Sequence, residues 1–220
     1  MRNAIEISGG LILTIDNAAC LGEKEADAVH CPNDIVAYFT ARTALFEQLC
    51  AGALPTVVTL ANFTGDDAWE RYMNGIKRAF DEIGLSYPQI IGSTESNFKA
   101  LQSAFSISMV GKRTFDISLN ESNWFVVGVP LVGNDVLENL EKCAPLGWLY
   151  EQLKTEAITY IHPVGSKGLQ YEFKQLFTKE AYVSLPMNVS SGPATAVIVN
   201  SKYETLIGFD YIEKIKFVAK

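Results

Sequence analysis

The stretch Thr43-Ala44-Leu45-Phe46-Glu47-Gln48-Leu49-Cys50-Ala51-Gly52-Ala53-Leu54-Pro55-Thr56-Val57-Val58-Thr59-Leu60 joins the end of a helix to a strand. Phe39, Leu45, Phe46 and Leu49 pack the helix, and Gly52 supplies a residue that can take the left-handed cap. Pro55 to Leu60 is β-branched and apolar, as expected of a buried strand. One carboxylate, Glu47, stands alone within the stretch.

Upstream, Ala4 to Ile7 and Leu11 to Ile15 flank Gly9-Gly10 as a hairpin, and Pro32-Asn33-Asp34 opens the helix that ends at Gly52. Downstream, Asp66-Asp67 cap a second helix running to Gly84, and Gln89 to Ile91 and Ala104 to Val110 read as strands. The polar, Ser/Asn-rich stretch from Arg113 to Asn123 marks a boundary. Beyond it the alternation resumes with a strand at Trp124 to Val127, a Gly-rich turn at Gly128 to Gly133 and a helix near Asp135 to Cys143. A strand at Ile158 to Ile161 and a helix at Leu169 to Phe177 come next, then strands at Tyr182 to Leu185, Ala196 to Val199 and Lys214 to Val218. The expectation is an α+β fold with mixed sheets in two domains, 1–116 and 117–220.

With 220 residues, 48% of them hydrophobic and 20% charged, the chain has an ordinary globular composition. A chain of this size buries roughly 70% of its unfolded surface and needs no covalent staple. Its net charge of −7, with no basic cluster longer than Lys112-Arg113, argues against a nucleic-acid partner. The opening residues lack the apolar core of a signal peptide, and no apolar run approaches the ~20 residues of a membrane span. No membrane association and a cytoplasmic location are therefore expected. Cys20, Cys31, Cys50 and Cys143 show no C-x-x-C pairing and read as reduced thiols rather than a disulfide framework or zinc site.

The informative charges are the isolated ones. Asp16 is the only charge between Ile7 and Gly22, Glu47 between Thr43 and Gly65, and Glu95 between Ile83 and Phe98. None has a cation nearby in sequence, and a buried unpaired carboxylate costs several kcal/mol or shifts its pKa. Convergence on a divalent cation would relieve all three, since hard metals take oxygen ligands. Asp16 ends a strand, Glu47 follows Thr40 and Thr43 on one helical stripe, and Glu95 sits in Gly92-Ser93-Thr94-Glu95-Ser96-Asn97, whose backbone N–H groups suit phosphate. A solvated loop or helix acid is the competing reading for each. Lys24 and Lys167, beside glycines, are candidate phosphate contacts, with an ordinary surface lysine as the alternative. His30 and His162 lack a partner pattern, and the G-x-x-x-x-G-K-[ST] spacing of a P-loop is absent.

Several of these motifs resemble those of the aminoimidazole ribonucleotide synthetase and thiamine monophosphate kinase superfamily. Thr14-Ile15-Asp16-Asn17 is similar to its strand-ending T-D motif, and Glu47 to Pro55 to its N-D-L-x-x-x-G-A-x-P helix ending, with Glu47 where the family has Asp. Gly92-Ser93-Thr94-Glu95 resembles the G-G-D-T loop. Val126 to Gly133 resembles the strand opening the second domain, and Pro163 to Leu169 the D-x-S-D-G-L element, with Lys167 replacing its acid. The wording Gly92 to Phe98, with the Glu47 change, is similar to α-ribazole kinases. The family's Gly-rich N-terminal segment is missing, and the second domain is short.

The resemblance implies an N-terminal, barrel-forming mixed-sheet domain that binds Mg·ATP and dimerises, followed by a shortened α/β domain. It further implies ATP-dependent phosphorylation of a small nucleoside-like alcohol, α-ribazole above all, by a homodimer. Asp16, Glu47 and Glu95 would hold Mg²⁺. Asp16, Asn17, Ser93, Thr94 and Asn97 would bind nucleotide, and Lys24 and Lys167 would offset phosphate charge. Another ATP-dependent synthase of the superfamily, or an inactive nucleotide-binding subunit, are the alternatives.

Overall fold

Gly9 and Gly10, at φ 84° and 73°, turn β1 (Ala4–Ile7) back onto β2 (Leu11–Ala19). Only a residue without a Cβ takes this left-handed conformation freely, which is why the chain reverses here. The computed structural model describes residues 2–120 and 122–218, and the chain forms two units, Met1–Asp116 and Ile117–Lys220. In the first, β3 (Leu21–Gly22) and β4 (Val29–His30) form a short parallel pair ahead of α1 (Asn33–Cys50) and β5 (Ala53–Asn62). A 3₁₀ turn at Asp66–Ala68 leads into α2 (Trp69–Glu82), followed by β6 (Gln89–Thr94) and β7 (Ala104–Arg113).

Five strands make a mixed sheet in the order β1-β2-β7-β5-β6, open at β1 and β6. The pair β5–β6 is parallel and the other three pairs are antiparallel, so β2, β5 and β6 run in the same direction. Side chains alternate across the sheet. Ile12, Thr14, Ile107, Met109, Val58 and Leu60 are buried on the face covered by α1. The other face carries Ile5, Ile15 and Ile91, each more than half exposed. α1 is apolar around most of its circumference because the sheet and α2 cover it from two sides, and Phe39, Leu45, Phe46 and Leu49 are all buried. At the α1–α2 crossing, Gly75 lets the backbones approach so closely that a Cβ there would lie 2.7 Å from the Cβ of Ala37.

In the second unit come β8 (Trp124–Gly128), α3 (Asn134–Glu138), α4 (Leu146–Lys154) and β9 (Ile158–Pro163). They are followed by α5 (Gly168–Leu176), β10 (Ala181–Tyr182), β11 (Ala196–Ser201), β12 (Ile212–Lys214) and β13 (Lys216–Phe217). An antiparallel sheet runs β12-β8-β11-β9, and β10 pairs with β13. β8 and β11 are buried along their whole length, as expected of strands covered on both faces.

The mixed α+β architecture follows the sequence reading, with local departures in the second unit. The helix expected through Cys143 breaks at Asn139, which leaves helical geometry at φ −138°, so only a 3₁₀ turn, Leu140–Lys142, follows α3. The strand expected at Tyr182 to Leu185 stops at Tyr182, because the N–H and hydroxyl of Ser184 donate to the Glu213 carboxylate instead of a ladder. α4 lies outside the sequence reading. The first sheet is open rather than closed into a barrel.

Candidate functional site

Asp16 lies on the helix-covered face of β2, where Thr43 of α1 reaches it with a side-chain hydrogen bond. Burial pushes its carboxyl from 3.8 up to about 7 against the N–H of Asn17, the charge of Glu47 adds to the rise, and Thr43 and Arg2 oppose it. Glu47, on the next turn of α1, is fully buried. The Arg2 guanidinium pairs with its Oε1, and the Asn3 backbone N–H donates to its Oε2 at 3.1 Å. Thus the structure brings Asp16 and Glu47 together and supplies the cation that the local sequence lacks.

Glu95 is not part of this cluster. Asp16, Ile107, Leu60 and Gly92 share one row of the sheet, so β6 lies three strand spacings, about 14 Å, from β2. Glu95 is a further three residues along, about 10 Å, and exposed; its Oε1 accepts the N–H of Asn97 at 2.8 Å. Among the described residues no group of three or more His, Cys, Asp or Glu side chains is placed to hold a metal ion. With Glu47 paired to Arg2 and Glu95 beyond the end of a distant strand, the three carboxylates do not converge on a shared divalent metal.

The remaining candidates of this unit are spread along the edge where β2, β5 and β6 end, with Asn17 of β2 and Ser93 of β6 in one row three strands apart. Asn17, Ser93 and Asn97 are exposed there, and the hydroxyl of Thr94 accepts from Nδ2 of buried Asn62 at 3.1 Å. The segment after β2 is laced to the segment before β7. Nζ of Lys24 donates to the Ala100 carbonyl at 2.6 Å, and the N–H and hydroxyl of Ser103 donate to Asp27, both at 2.7 Å. Burial pushes Asp27 upward, but the Ser103 and Lys24 donors outweigh it and hold the carboxyl below its usual range. This clasp holds Lys24 and Asp27 against Ala100 and Ser103. A surface groove lined by Asp81, Gly84, Leu85, Ser86 and Tyr87 lies at the opposite end of α2 and contains none of the candidate residues.

Lys167 belongs to the second unit. It is exposed in the turn before α5, with Nζ 4.4 Å from the centroid of Tyr171. Behind it lies a buried chain that sequence reading did not assemble. The Tyr160 hydroxyl is 3.0 Å from Nδ1 of His162, whose Nε2 is 2.9 Å from the Glu172 carboxylate. Nothing near His162 in sequence announces Glu172. The alternation of β9, which puts Tyr160 and His162 on one face, was the available signal.

No family model matches the chain, and no curated protein matches it. Solved structures share its fold at low identity. Thiamine monophosphate kinase from Aquifex aeolicus is 12% identical at a TM-score of 0.65, the match covering 97% of this chain and 86% of that one. Hydrogenase maturation protein HypE in complex with ATP is 13% identical at 0.61, covering 90% and 70%. Phosphoribosylformylglycinamidine synthase II from Thermotoga maritima is 16% identical at 0.56, covering all of this chain and 36% of that one. The chain therefore shares the fold of these solved structures. No helix among the described residues is long and apolar enough to cross a membrane.

Proposed function

We propose that this chain is an ATP-dependent kinase of a small nucleoside-like alcohol, with α-ribazole as the first acceptor to try. The observation that carries the reading is the fold likeness along 97% of the chain to a thiamine monophosphate kinase, together with an ATP-bound HypE of the same fold. Nucleotide is assigned to the polar edge carrying Asn17, Ser93, Thr94 and Asn97, whose side chains supply hydroxyls and amides. Lys24 and Lys167 are the cations assigned to phosphate charge, and phosphoryl transfer needs such positioning and neutralisation more than a strong base. Magnesium enters this reading on the triphosphate and not on the acid pair. The active form is a homodimer in this reading.

A second reading, a nucleotide-binding subunit without turnover, is favoured by one observation. The acid pair of this chain is already occupied by its own Arg2. Incubation with Mg·ATP and a panel of nucleosides, α-ribazole included, separates the two. The kinase yields ADP and a phosphorylated acceptor in equal amounts, and Lys167→Ala lowers kcat at least about tenfold without lowering the melting temperature. Saturable ATP binding with no ADP formed on any acceptor refutes the kinase and leaves the second reading.

A further inference from the structure

Two buried or half-buried carboxylates side by side invite a divalent cation, and this chain answers with one of its own side chains. Glu47 has no solvent-exposed surface, and Arg2 retains 18% exposure. Both carboxylate oxygens of Glu47 are taken, Oε1 by the guanidinium and Oε2 by the Asn3 backbone N–H. The register explains how Arg2 arrives there. Ala4 pairs with Thr14 across β1–β2, and the two residues before it bring Arg2 within reach of Glu47 and Asp16. Arg2 accordingly acts on Asp16 as well as Glu47.

We propose that Arg2 is the resident cation of the Asp16–Glu47 pair and closes that pair to divalent metals. A guanidinium remains protonated at every physiological pH, so this counter-ion is permanent. Its planar fork takes space and lone pairs that a metal would need, and a divalent ion demands several oxygens at short range. With Arg2 in place, each Glu47 oxygen already accepts a hydrogen bond. Without it, the Asp16 and Glu47 carboxylates and the Thr43 hydroxyl on α1 and β2 lose the Arg2 charge. The inference is independent of the proposed kinase activity, because it is read on the protein without nucleotide.

Mn²⁺ titration followed by EPR tests it on the full chain. Arg2→Ala is expected to bind one Mn²⁺ about tenfold or more tighter than the wild type, equivalent to about 1.4 kcal/mol. That gain should vanish in Arg2→Ala/Glu47→Gln and be absent from Arg2→Lys, which keeps the charge. Arg2→Met retains much of the aliphatic stem and replaces the alanine variant if that one does not fold. A smaller gain, a gain that survives Glu47→Gln, or an equal gain in Arg2→Lys overturns the proposal. In the wild type, Mn²⁺ should leave the Arg2 side-chain N–H resonance unbroadened, and selective broadening there overturns it without any variant.

Discussion

Replacing Asp16 by Asn should remove the pH dependence that its carboxylate imposes on stability. The Asp16 carboxyl sits at about 7 in the folded chain against 3.8 in its ordinary state, because burial and the Glu47 charge disfavour ionisation. Between those values the folded state holds a proton that the unfolded state has released. The contribution is therefore fully present below pH 4 and is lost as pH rises through 7, so ionised Asp16 costs stability at neutral and alkaline pH. At 1.36 kcal/mol per pH unit the whole shift corresponds to about 4 kcal/mol. Asp16 keeps some solvent contact, so screening reduces this to about 2 kcal/mol. The stability difference between Asp16→Asn and wild type should then move by about 2 kcal/mol in favour of Asn between pH 4.5 and pH 8. In melting temperature this is roughly 4–8 °C for a chain of this size. Parallel thermal melts of both proteins across that range measure it directly. A difference that is flat with pH, or one that moves toward the wild type as pH rises, refutes the electrostatic account of this residue.

Glu47→Gln keeps the shape of the side chain but strips Arg2 of its counter-charge, and it should cost about 2–4 kcal/mol in urea unfolding at pH 7. A variant as stable as wild type would mean that the pair contributes nothing. Gly75→Ala forces a methyl against Ala37 at the helix crossing and should lower stability by about 1–3 kcal/mol, read from the shift in urea midpoint. Glu172→Ala removes the buried hydrogen bond between His162 and Glu172 and should destabilise by about 1–3 kcal/mol, whereas a loss well under about 1 kcal/mol would show that the contact is replaceable.

Much of the fold was legible because its signals are local. Gly9-Gly10 turns the first hairpin, the β-branched run from Pro55 marks β5, and Asp66-Asp67 announce the second helix. α4 escaped although Pro145 precedes it and Leu146, Leu149 and Tyr150 have helical spacing, because Gly147 and Trp148 interrupt the pattern. The site was less legible, for a physical reason. Isolation in sequence flags a charge that needs a partner, but it does not say where the partner comes from. Glu47 is answered by a residue 45 positions away, and His162 by one on the following helix. Glu95, equally isolated, is exposed to water and needs no partner in the protein. Asp16 alone keeps the strain that its isolation suggested, and its raised pKa is the trace of it.

The strand order of the first sheet also sets when the unit can fold. β7, the last strand of the unit to be synthesised, is the one inserted between β2 and β5. Until Ala104 to Arg113 leaves the ribosome, β2 and β5 have no partner on their inner sides, and the floor beneath α1 does not exist. Closing the sheet joins Ala19 to Ala104 and Leu11 to Lys112, long loops whose entropy must be met before the contacts repay it. Folding of this unit is therefore a late, concerted event, and a nascent chain cut short before β7 would expose two unpaired strand edges ready to join other chains.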